Sequence, residues 1–171
     1  MTVSRHLIAA TLLAATLLAV APLKLAQAAP AKIAAAVASA DRPEAAKMLD
    51  EDRKPAAVLG VLGLEAGERA LDVMAGNGDY SKLMAKAIGL RSAVVALEPP
   101  MFVDDKRRAE WAKLRERAPN VSVLMQMPGA MALAPSSFDF ALLQLTYQDF
   151  YWESARHKFP RMNPDAALRT L

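Results

Sequence analysis

One carboxylate and two glycines stand close together in the segment ALDVMAGNGDYS, residues 70–81. Asp72 lies near the end of an apolar run, and Gly76 and Gly78 follow it before an amphipathic stretch. Glycine can adopt backbone angles closed to other residues, and it lets a ligand approach the main chain. A carboxylate in the same turn attracts a cation and repels a phosphate. The segment therefore predicts a binding site for a positively charged ligand.

Two cofactors are compatible with a glycine-rich turn of this kind. A nicotinamide dinucleotide needs the spacing Gly-x-Gly-x-x-Gly, and its pyrophosphate binds the amides of the turn. Here Ser81 stands at the position of the third glycine, and Asp72 would repel the pyrophosphate. S-adenosylmethionine instead carries ammonium and sulfonium centres, which gain about 1–3 kcal/mol from a nearby, partly desolvated carboxylate. We therefore favour S-adenosylmethionine and keep the dinucleotide as the alternative.

Short apolar runs alternate with helical patterns on both sides of this turn. The pattern predicts strands at residues 69–74, 92–97, 121–127 and 138–147, and helices at 81–88 and 104–118. Such an order is typical of an α/β protein with a mostly parallel sheet and helices on both faces. In these sheets ligands bind beyond the carboxyl ends of the strands, where the first strand turns into its helix. The glycine turn lies at that place.

The region before the first strand is predicted to be helical. Asp41 is assigned as a helix cap with Pro43 near the first helical position, and Pro55 separates two helices. The second helix is expected to end at Gly63, because glycine tolerates the left-handed conformation found at helix ends. The Ala-rich stretch 29–40 is either helical or a loose leader.

The first 28 residues have the composition of a secretory signal peptide. Arg5 and His6 form a basic head, residues 7–20 are an uninterrupted run of apolar residues and threonine, and Ala26-Gln27-Ala28 suits a signal peptidase. The 14-residue run is shorter than the roughly 20 residues that span a bilayer. We expect an exported protein, periplasmic or secreted, with no permanent membrane span. An uncleaved anchor is the alternative.

The charge balance gives no sign of a nucleic-acid partner. Removing residues 1–28 takes away two of the 21 basic residues and leaves 19 against 18 acidic ones. Nucleic-acid binding requires a clustered excess of positive charge, which a nearly neutral chain does not indicate. We also assign no metal site.

The glycine turn resembles that of a known family. Asp72-Val-Met-Ala-Gly76-Asn-Gly78 is similar to the Asp-x-Gly-x-Gly-x-Gly turn of class I S-adenosylmethionine-dependent methyltransferases, with Met74 replacing the first glycine. The wider segment 53–89, which begins with Arg-Lys-Pro, resembles the exported bacterial predicted methyltransferases. In that branch a Tyr-His-Asp segment follows the fourth strand, and here Tyr147-Gln148-Asp149 stands there. The resemblance covers residues 41–171 and implies a Rossmann-like fold with strand order 3-2-1-4.

The resemblance also implies roles for individual residues. Residues of the turn would hold the methionine half of the cofactor, namely Asp72, Ala75, Gly76, Asn77 and Gly78. Glu98 ends the second strand, and the resemblance makes it the acceptor of hydrogen bonds from the ribose hydroxyls. Its position 20 residues after Gly78 agrees with that role. The alternative for Glu98 is a solvated strand end.

The segment after the fourth strand faces the methyl group in the family. Asp149 is therefore a candidate general base and Tyr147 a candidate positioning donor. Gln148 takes the place of the family's histidine and cannot exchange a proton near neutral pH. The alternative for this segment is an aromatic cluster that covers the end of the sheet.

The family continues beyond the equivalent of Leu171 with a Lys-Pro-Gly-Gly turn and three more strands. The resemblance therefore implies that residues 41–171 form an incomplete, C-terminally truncated domain whose last strands are missing. The fourth strand would then be an edge, which could pair with a second copy of the chain. Two functions are expected: methyl transfer to an unknown acceptor, or an inactive remnant that still binds S-adenosylmethionine.

Overall fold

The computed structural model describes residues 31–171. The predicted signal peptide, residues 1–28, lies outside the described residues. No helix within 31–171 is long and apolar enough to cross a membrane.

A four-stranded parallel sheet forms the centre of the described fold. The strands are β1 (Ala70–Val73), β2 (Val94–Leu97), β3 (Val121–Leu124) and β4 (Phe140–Leu142). They are arranged in the order β3-β2-β1-β4, and every pair is parallel. The expected α/β fold class and strand order are confirmed. In the described sheet β4 is an outer strand, and self-association through it stays a prediction.

Seven α-helices accompany the sheet in residues 31–171. They are α1 (Ala31–Val37), α2 (Glu44–Lys47), α3 (Asp50–Arg53), α4 (Pro55–Val61), α5 (Asp79–Ile88), α6 (Asp105–Arg117) and α7 (Pro164–Leu168). Two 3₁₀ turns, Pro100–Phe102 and Tyr147–Tyr151, follow β2 and β4. Asp104 caps α6 by accepting a hydrogen bond from the Arg107 amide at 2.7 Å.

Alternation along the strands decides which side chains face α5. In β1, Ala70 belongs to the core that α1, α4, α5 and α6 cover, whereas Leu71 and Val73 belong to the opposite core. The second core is covered by α7 and by the 3₁₀ turn 147–151. Because side chains alternate with a period of two, Asp72 points to the same face as Ala70. The same rule places Glu98 on the α5 side of β2.

The Ala-rich stretch before residue 41 packs onto the domain. Of the two alternatives for this stretch, residues 31–37 form the helix. Ile33 and Ala36 are buried in the core that contains α5. Small side chains allow α1 to lie close against α5, so the segment contributes to the core from residue 31 onward.

The helices before β1 agree with the prediction at Pro55 and need two corrections elsewhere. One helix was predicted before Pro55, whereas the structure has two short ones, α2 and α3. Lys54 has a left-handed φ of 45° and separates α3 from α4, which begins at Pro55. The assignment of Asp41 as a helix cap is wrong, because α2 begins after Pro43 without a side-chain cap. Asp41 instead forms salt bridges with Lys82 at 3.4 Å and Lys86 at 2.8 Å.

The fourth strand is shorter than its apolar pattern predicted. β4 ends at Leu142, whereas residues 138–147 were expected to be extended. Leu145 has a positive φ of 58°, which turns the chain out of the sheet. The Thr146 hydroxyl then donates to the Val73 carbonyl at 3.3 Å and holds this turn against the end of β1. After Leu142, Leu143 packs against the core that contains Leu71, whereas Leu145 is 65% exposed in the turn.

Candidate functional site

A cavity of about 370 Å³ opens at the carboxyl ends of β1 and β4. Asp72, Met74 and residues 75–77 form its wall on the β1 side, and Gln144 and Leu145 form it on the β4 side. The chain passes from β1 to β2 on one side, and β4 lies on the other side of β1. The strand order therefore reverses at β1, which is where open α/β sheets bind ligands. We call this space the switch-point cavity.

Asp72 has two roles in this cavity. Its side chain is only 3% exposed, and its Oδ2 atom accepts a hydrogen bond from the Ser81 hydroxyl at 2.6 Å. Burial raises the pKa of Asp72 to about 6, although the hydrogen bonds from Ser81 act to lower it. Asp72 therefore joins β1 to the first turn of α5, and it still places a negative charge in the cavity wall above that pH.

Glu98 is buried beside the glycine turn. Its Oε2 atom accepts a hydrogen bond from the Gly76 amide at 2.8 Å, and the residue is 3% exposed. The alternative of a solvated strand end is therefore wrong. Burial raises the pKa of Glu98 to about 7, although the Gly76 amide and the nearby Arg107 charge oppose the rise. Oε1 accepts no hydrogen bond from any group within residues 31–171. The predicted ribose contact of Glu98 stays a prediction.

The glycine turn contains three left-handed residues. Met74, Gly76 and Gly78 have φ values of 57°, 61° and 74°. Met74 thus keeps the backbone conformation that a glycine favours at the first position of the turn, at a cost of about 1–2 kcal/mol. This conformation explains why the chain resembles the glycine-rich pattern although one glycine is replaced.

The two glycines of the turn have different structural roles. Gly76 lies in the wall of the switch-point cavity, and a Cβ atom there would meet nothing within 4 Å. At Gly78 a Cβ atom would lie 2.6 Å from the Trp111 ring and 2.7 Å from Leu114 Cδ1. Gly78 therefore allows α6 to pack against the turn, whereas Gly76 leaves space for a ligand. Equal roles for both residues had been expected.

The turn is also held by the segment before β1. The guanidinium of Arg42, which is fully buried, donates to Asp50 at 2.6 and 2.8 Å and to Asp79 at 3.3 Å. The Tyr80 hydroxyl donates to the Arg53 carbonyl at 3.2 Å. Both contacts connect the helices before β1 to the first turn of α5. They bring this segment to the edge of the cavity.

Several cavity residues were not identified from the sequence. Arg53, Tyr80, Arg107 and Gln144 line the switch-point cavity. Arg53 begins the Arg-Lys-Pro segment, directly before the helix break predicted at Pro55. That position was the feature of the sequence that could have indicated Arg53 as a site residue. Arg107 and Gln144 lie far from the turn in sequence, and nothing in their local pattern distinguishes them.

Residues 147–149 do not line the switch-point cavity, although Gln144 and Leu145 of the same connection do. Asp149 lies in a separate cavity of about 410 Å³, together with Phe102, Gln148 and Trp152; Met74 lines both cavities. Partial burial raises the pKa of Asp149. Tyr147 is 44% exposed and lines neither cavity, and its hydroxyl lies 3.1 Å from the Tyr151 hydroxyl. Their catalytic roles stay predictions.

Aromatic packing accounts for much of this second segment. Tyr147 contacts Phe150 edge to face at 5.8 Å, and Trp152 packs against Phe159 at 5.1 Å. The Gln148 amide donates to the Leu145 carbonyl. The side chain of Gln148 therefore stabilises the turn. This arrangement agrees with the alternative of an aromatic cluster at the end of the sheet.

A second, larger cavity borders the glycine turn on the side of α6. Its volume is about 570 Å³, and it lies between the α2–α3 segment and α6, behind Gly78. Asn77 and Gly78 of the glycine turn line it, and Asn77 also lines the switch-point cavity, but neither Asp72 nor any residue after β4 lines it. Within residues 31–171, no three His, Asp or Glu side chains lie close enough to hold a metal ion.

Comparison with known proteins supports the fold. No protein-family model and no curated protein matches the chain. The structure is similar to that of a SAM-dependent methyltransferase from Aquifex aeolicus, with 25% sequence identity and a TM-score of 0.55. That match covers 75% of this chain and 64% of the other, so the chain spans less than two thirds of the length of that protein.

Two further structures share a smaller part of the fold. A protein-L-isoaspartate O-methyltransferase has 22% identity and a TM-score of 0.43, covering 51% of this chain and 27% of its own. A putative sarcosine dimethylglycine methyltransferase from Galdieria sulphuraria has 20% identity and a TM-score of 0.42. That match covers 58% of this chain and 38% of the other. The comparison therefore depends on the Aquifex aeolicus protein. Together with the strand order, it identifies the Rossmann-like fold of SAM-dependent methyltransferases.

Proposed function

We propose that this protein binds S-adenosylmethionine in the switch-point cavity and transfers its methyl group to an acceptor. The observation that carries the proposal is the position of Asp72 and the glycine turn, at the point where the strand order reverses beside β1. The fold that the chain shares with the Aquifex aeolicus methyltransferase supports the same function.

The residues of the cavity fit this cofactor in size and charge. A volume of about 370 Å³ lies within the usual range of roughly 300–1,000 Å³ for small-molecule sites. Asp72 contributes negative charge, which favours a cationic ligand. The backbone around Gly76 has free space for close approach. Glu98 is not part of the cavity wall; its Oε2 atom binds the Gly76 amide behind the wall, and its Oε1 atom can accept a further hydrogen bond.

The cofactor would supply a methyl group bound to a positively charged sulfur. When the acceptor attacks that methyl group, the sulfur leaves as a neutral thioether. The chain therefore contributes alignment and the exclusion of water. Asp72 and the glycine turn hold the cofactor end of the site. In this proposal Asp149 accepts a proton from the acceptor, since Met74 lines both its cavity and the switch-point cavity. Gln148 cannot take that role.

Titration with S-adenosylhomocysteine and S-adenosylmethionine tests the cofactor assignment. We expect both to bind, and we expect Asp72→Asn to weaken S-adenosylmethionine by about 10- to 100-fold at pH 8, where Asp72 is ionised. Asparagine can still accept the Ser81 hydrogen bond, so the variant is expected to fold. Isothermal titration calorimetry measures both ligands. The loss is expected to be larger for S-adenosylmethionine, because it carries the additional positive charge.

Asp105→Asn is the matched control, since that carboxylate is fully exposed at the start of α6. It is expected to change neither affinity. A folded wild-type protein that produces no heat with either ligand would contradict the proposal. Binding of a nicotinamide dinucleotide instead would establish the alternative cofactor.

A binding protein without methyl transfer is the second candidate function. It is favoured by the separation of Tyr147 and Asp149 from the switch-point cavity. Transfer of a labelled methyl group from S-adenosylmethionine to any acceptor excludes this candidate.

The proposal includes export through the signal peptide at residues 1–28. Its support is the basic head, the apolar run and the Ala26-Gln27-Ala28 site in the sequence. We expect the full-length protein, expressed in a bacterium, to be recovered outside the cytoplasm with Ala29 as its first residue. N-terminal sequencing of the periplasmic and cytoplasmic fractions measures this. Recovery of uncleaved chain in the cytoplasm alone would contradict export.

A further inference from the structure

Arg53 is placed at the edge of the switch-point cavity by the end of α3. Lys54 is left-handed and Pro55 cannot continue the helix, so α3 stops at Arg53. The last carbonyls of a helix lack partners within it, and the Tyr80 hydroxyl donates to the Arg53 carbonyl at 3.2 Å. The backbone of Arg53 is therefore attached to the first turn of α5, and its side chain lines the cavity.

The charge of Arg53 is not neutralised by a neighbouring carboxylate. In residues 31–171, no Asp or Glu oxygen lies within 4.0 Å of its guanidinium. The guanidinium is near enough to the Tyr80 phenol to oppose the rise in the Tyr80 pKa that burial causes. Arg107, the other cation of the cavity wall, forms a salt bridge with Glu110 at 3.2 Å.

Within residues 31–171, two charged groups of the cavity wall have no oppositely charged partner, and they differ in sign. Asp79 is paired with Arg42, and Arg107 with Glu110. The two groups without such a partner are Arg53 and Asp72, and the side chain of Asp72 is hydrogen-bonded only to the neutral Ser81. A cation and an anion on the walls of one small cavity complement a zwitterion, and a guanidinium binds a carboxylate through two parallel hydrogen bonds.

We propose that Arg53 binds the α-carboxylate of the cofactor's amino-acid group, and that it thereby selects nucleosides that carry a complete amino acid. This inference rests on the proposed function, because it concerns the same cavity and ligand. It assigns to the segment before β1 a part in recognising the ligand, in addition to its packing.

Three ligands that differ only in the amino-acid end test the role of Arg53. S-adenosylhomocysteine has the ammonium and the carboxylate, S-adenosyl-3-thiopropylamine lacks the carboxylate, and 5′-methylthioadenosine lacks both. We expect Arg53→Gln to weaken S-adenosylhomocysteine by about 10- to 100-fold, the range for a charge-assisted hydrogen-bonded pair. The affinities of the other two ligands are expected to stay within about 2-fold. Competition calorimetry measures all three.

Two variants distinguish a specific contact from a general effect. Arg91→Gln removes an exposed positive charge away from the cavity, and it is expected to change no affinity. Arg53→Lys keeps the charge but loses the planar fork, so it is expected to recover only part of the affinity for S-adenosylhomocysteine. Thermal unfolding of each variant confirms that it is folded.

The outcomes separate this inference from the proposed function. If Arg53→Gln weakens all three ligands equally, or leaves S-adenosylhomocysteine unaffected, Arg53 does not bind the carboxylate although the cofactor assignment stands. If the folded wild-type protein binds none of the three ligands, the proposed function and this inference both fail.

Discussion

Replacing Gly78 by alanine is expected to lower the free energy of unfolding by about 2–5 kcal/mol. A left-handed φ of 74° costs an alanine about 1–2 kcal/mol. The new methyl group would also lie 2.6 Å from the Trp111 ring, and overpacking of this kind costs about 1–3 kcal/mol. Trp111 is buried and anchors α6, so the ring cannot move away without disturbing the helix. Urea unfolding followed by circular dichroism measures the change.

Gly76→Ala is the matched control for this prediction. It carries a similar left-handed φ of 61°, but nothing lies within 4 Å of the added carbon. We expect only the conformational cost, about 1–2 kcal/mol. The methyl group would instead occupy the switch-point cavity and weaken ligand binding. Equal losses of stability in the two variants would contradict the assignment of Gly78 to packing and Gly76 to the ligand.

Replacing Glu98 by glutamine is expected to stabilise the protein at pH 8 by about 1–3 kcal/mol while weakening S-adenosylhomocysteine by about 10-fold. Glutamine keeps an oxygen that accepts from the Gly76 amide, and it removes a charge from a buried position. It also replaces a charged acceptor for the proposed ribose hydroxyls by a neutral one, which forms weaker hydrogen bonds. Unfolding and titration measured on the same variant test both effects.

The stabilising effect of Glu98→Gln is expected to depend on pH. The pKa of Glu98 is about 7 in the folded protein and 4.5 in its ordinary environment, so the folded state holds its proton more tightly. The wild type therefore loses stability as the pH rises from about 4.5 through 7. The variant lacks this loss but keeps the corresponding one from Asp72, whose pKa is about 6. An unchanged pH profile in the variant would contradict this account.

The local elements were predictable because their signals are local. Apolar runs of consecutive residues indicated buried strands, and Pro55 and Gly63 marked helix boundaries that the structure confirms. The exceptions were β3, which ends at Leu124 instead of residue 127, and the fourth strand. Its apolar run extends to Tyr147, but pairing with β1 ends at Leu142, and the positive φ of Leu145 redirects the chain. Apolar composition indicates burial, and it does not distinguish a strand from a packed turn.

The candidate site was predictable only in part. Asp72, Gly76 and Gly78 are near neighbours in sequence, so their spacing was sufficient to locate the turn and its place after β1. The partners that define their chemistry come from elsewhere in the chain: Trp111 packs on Gly78, and Glu98 binds the Gly76 amide. Spacing carries no information about such partners, because they meet only when the sheet and helices pack.

By itself, the sequence determined that a glycine turn with a carboxylate follows a buried strand in an α/β chain, because periodicity and turn chemistry act over a few residues. The tertiary structure alone decided that Arg53 and Asp72 retain opposite charges in one cavity, because salt bridges and burial depend on residues far apart in the chain. It also turned the Tyr147 side chain toward Tyr151 instead of the cavity. Packing brings distant residues together, and these contacts determine which polar groups are free to bind a ligand.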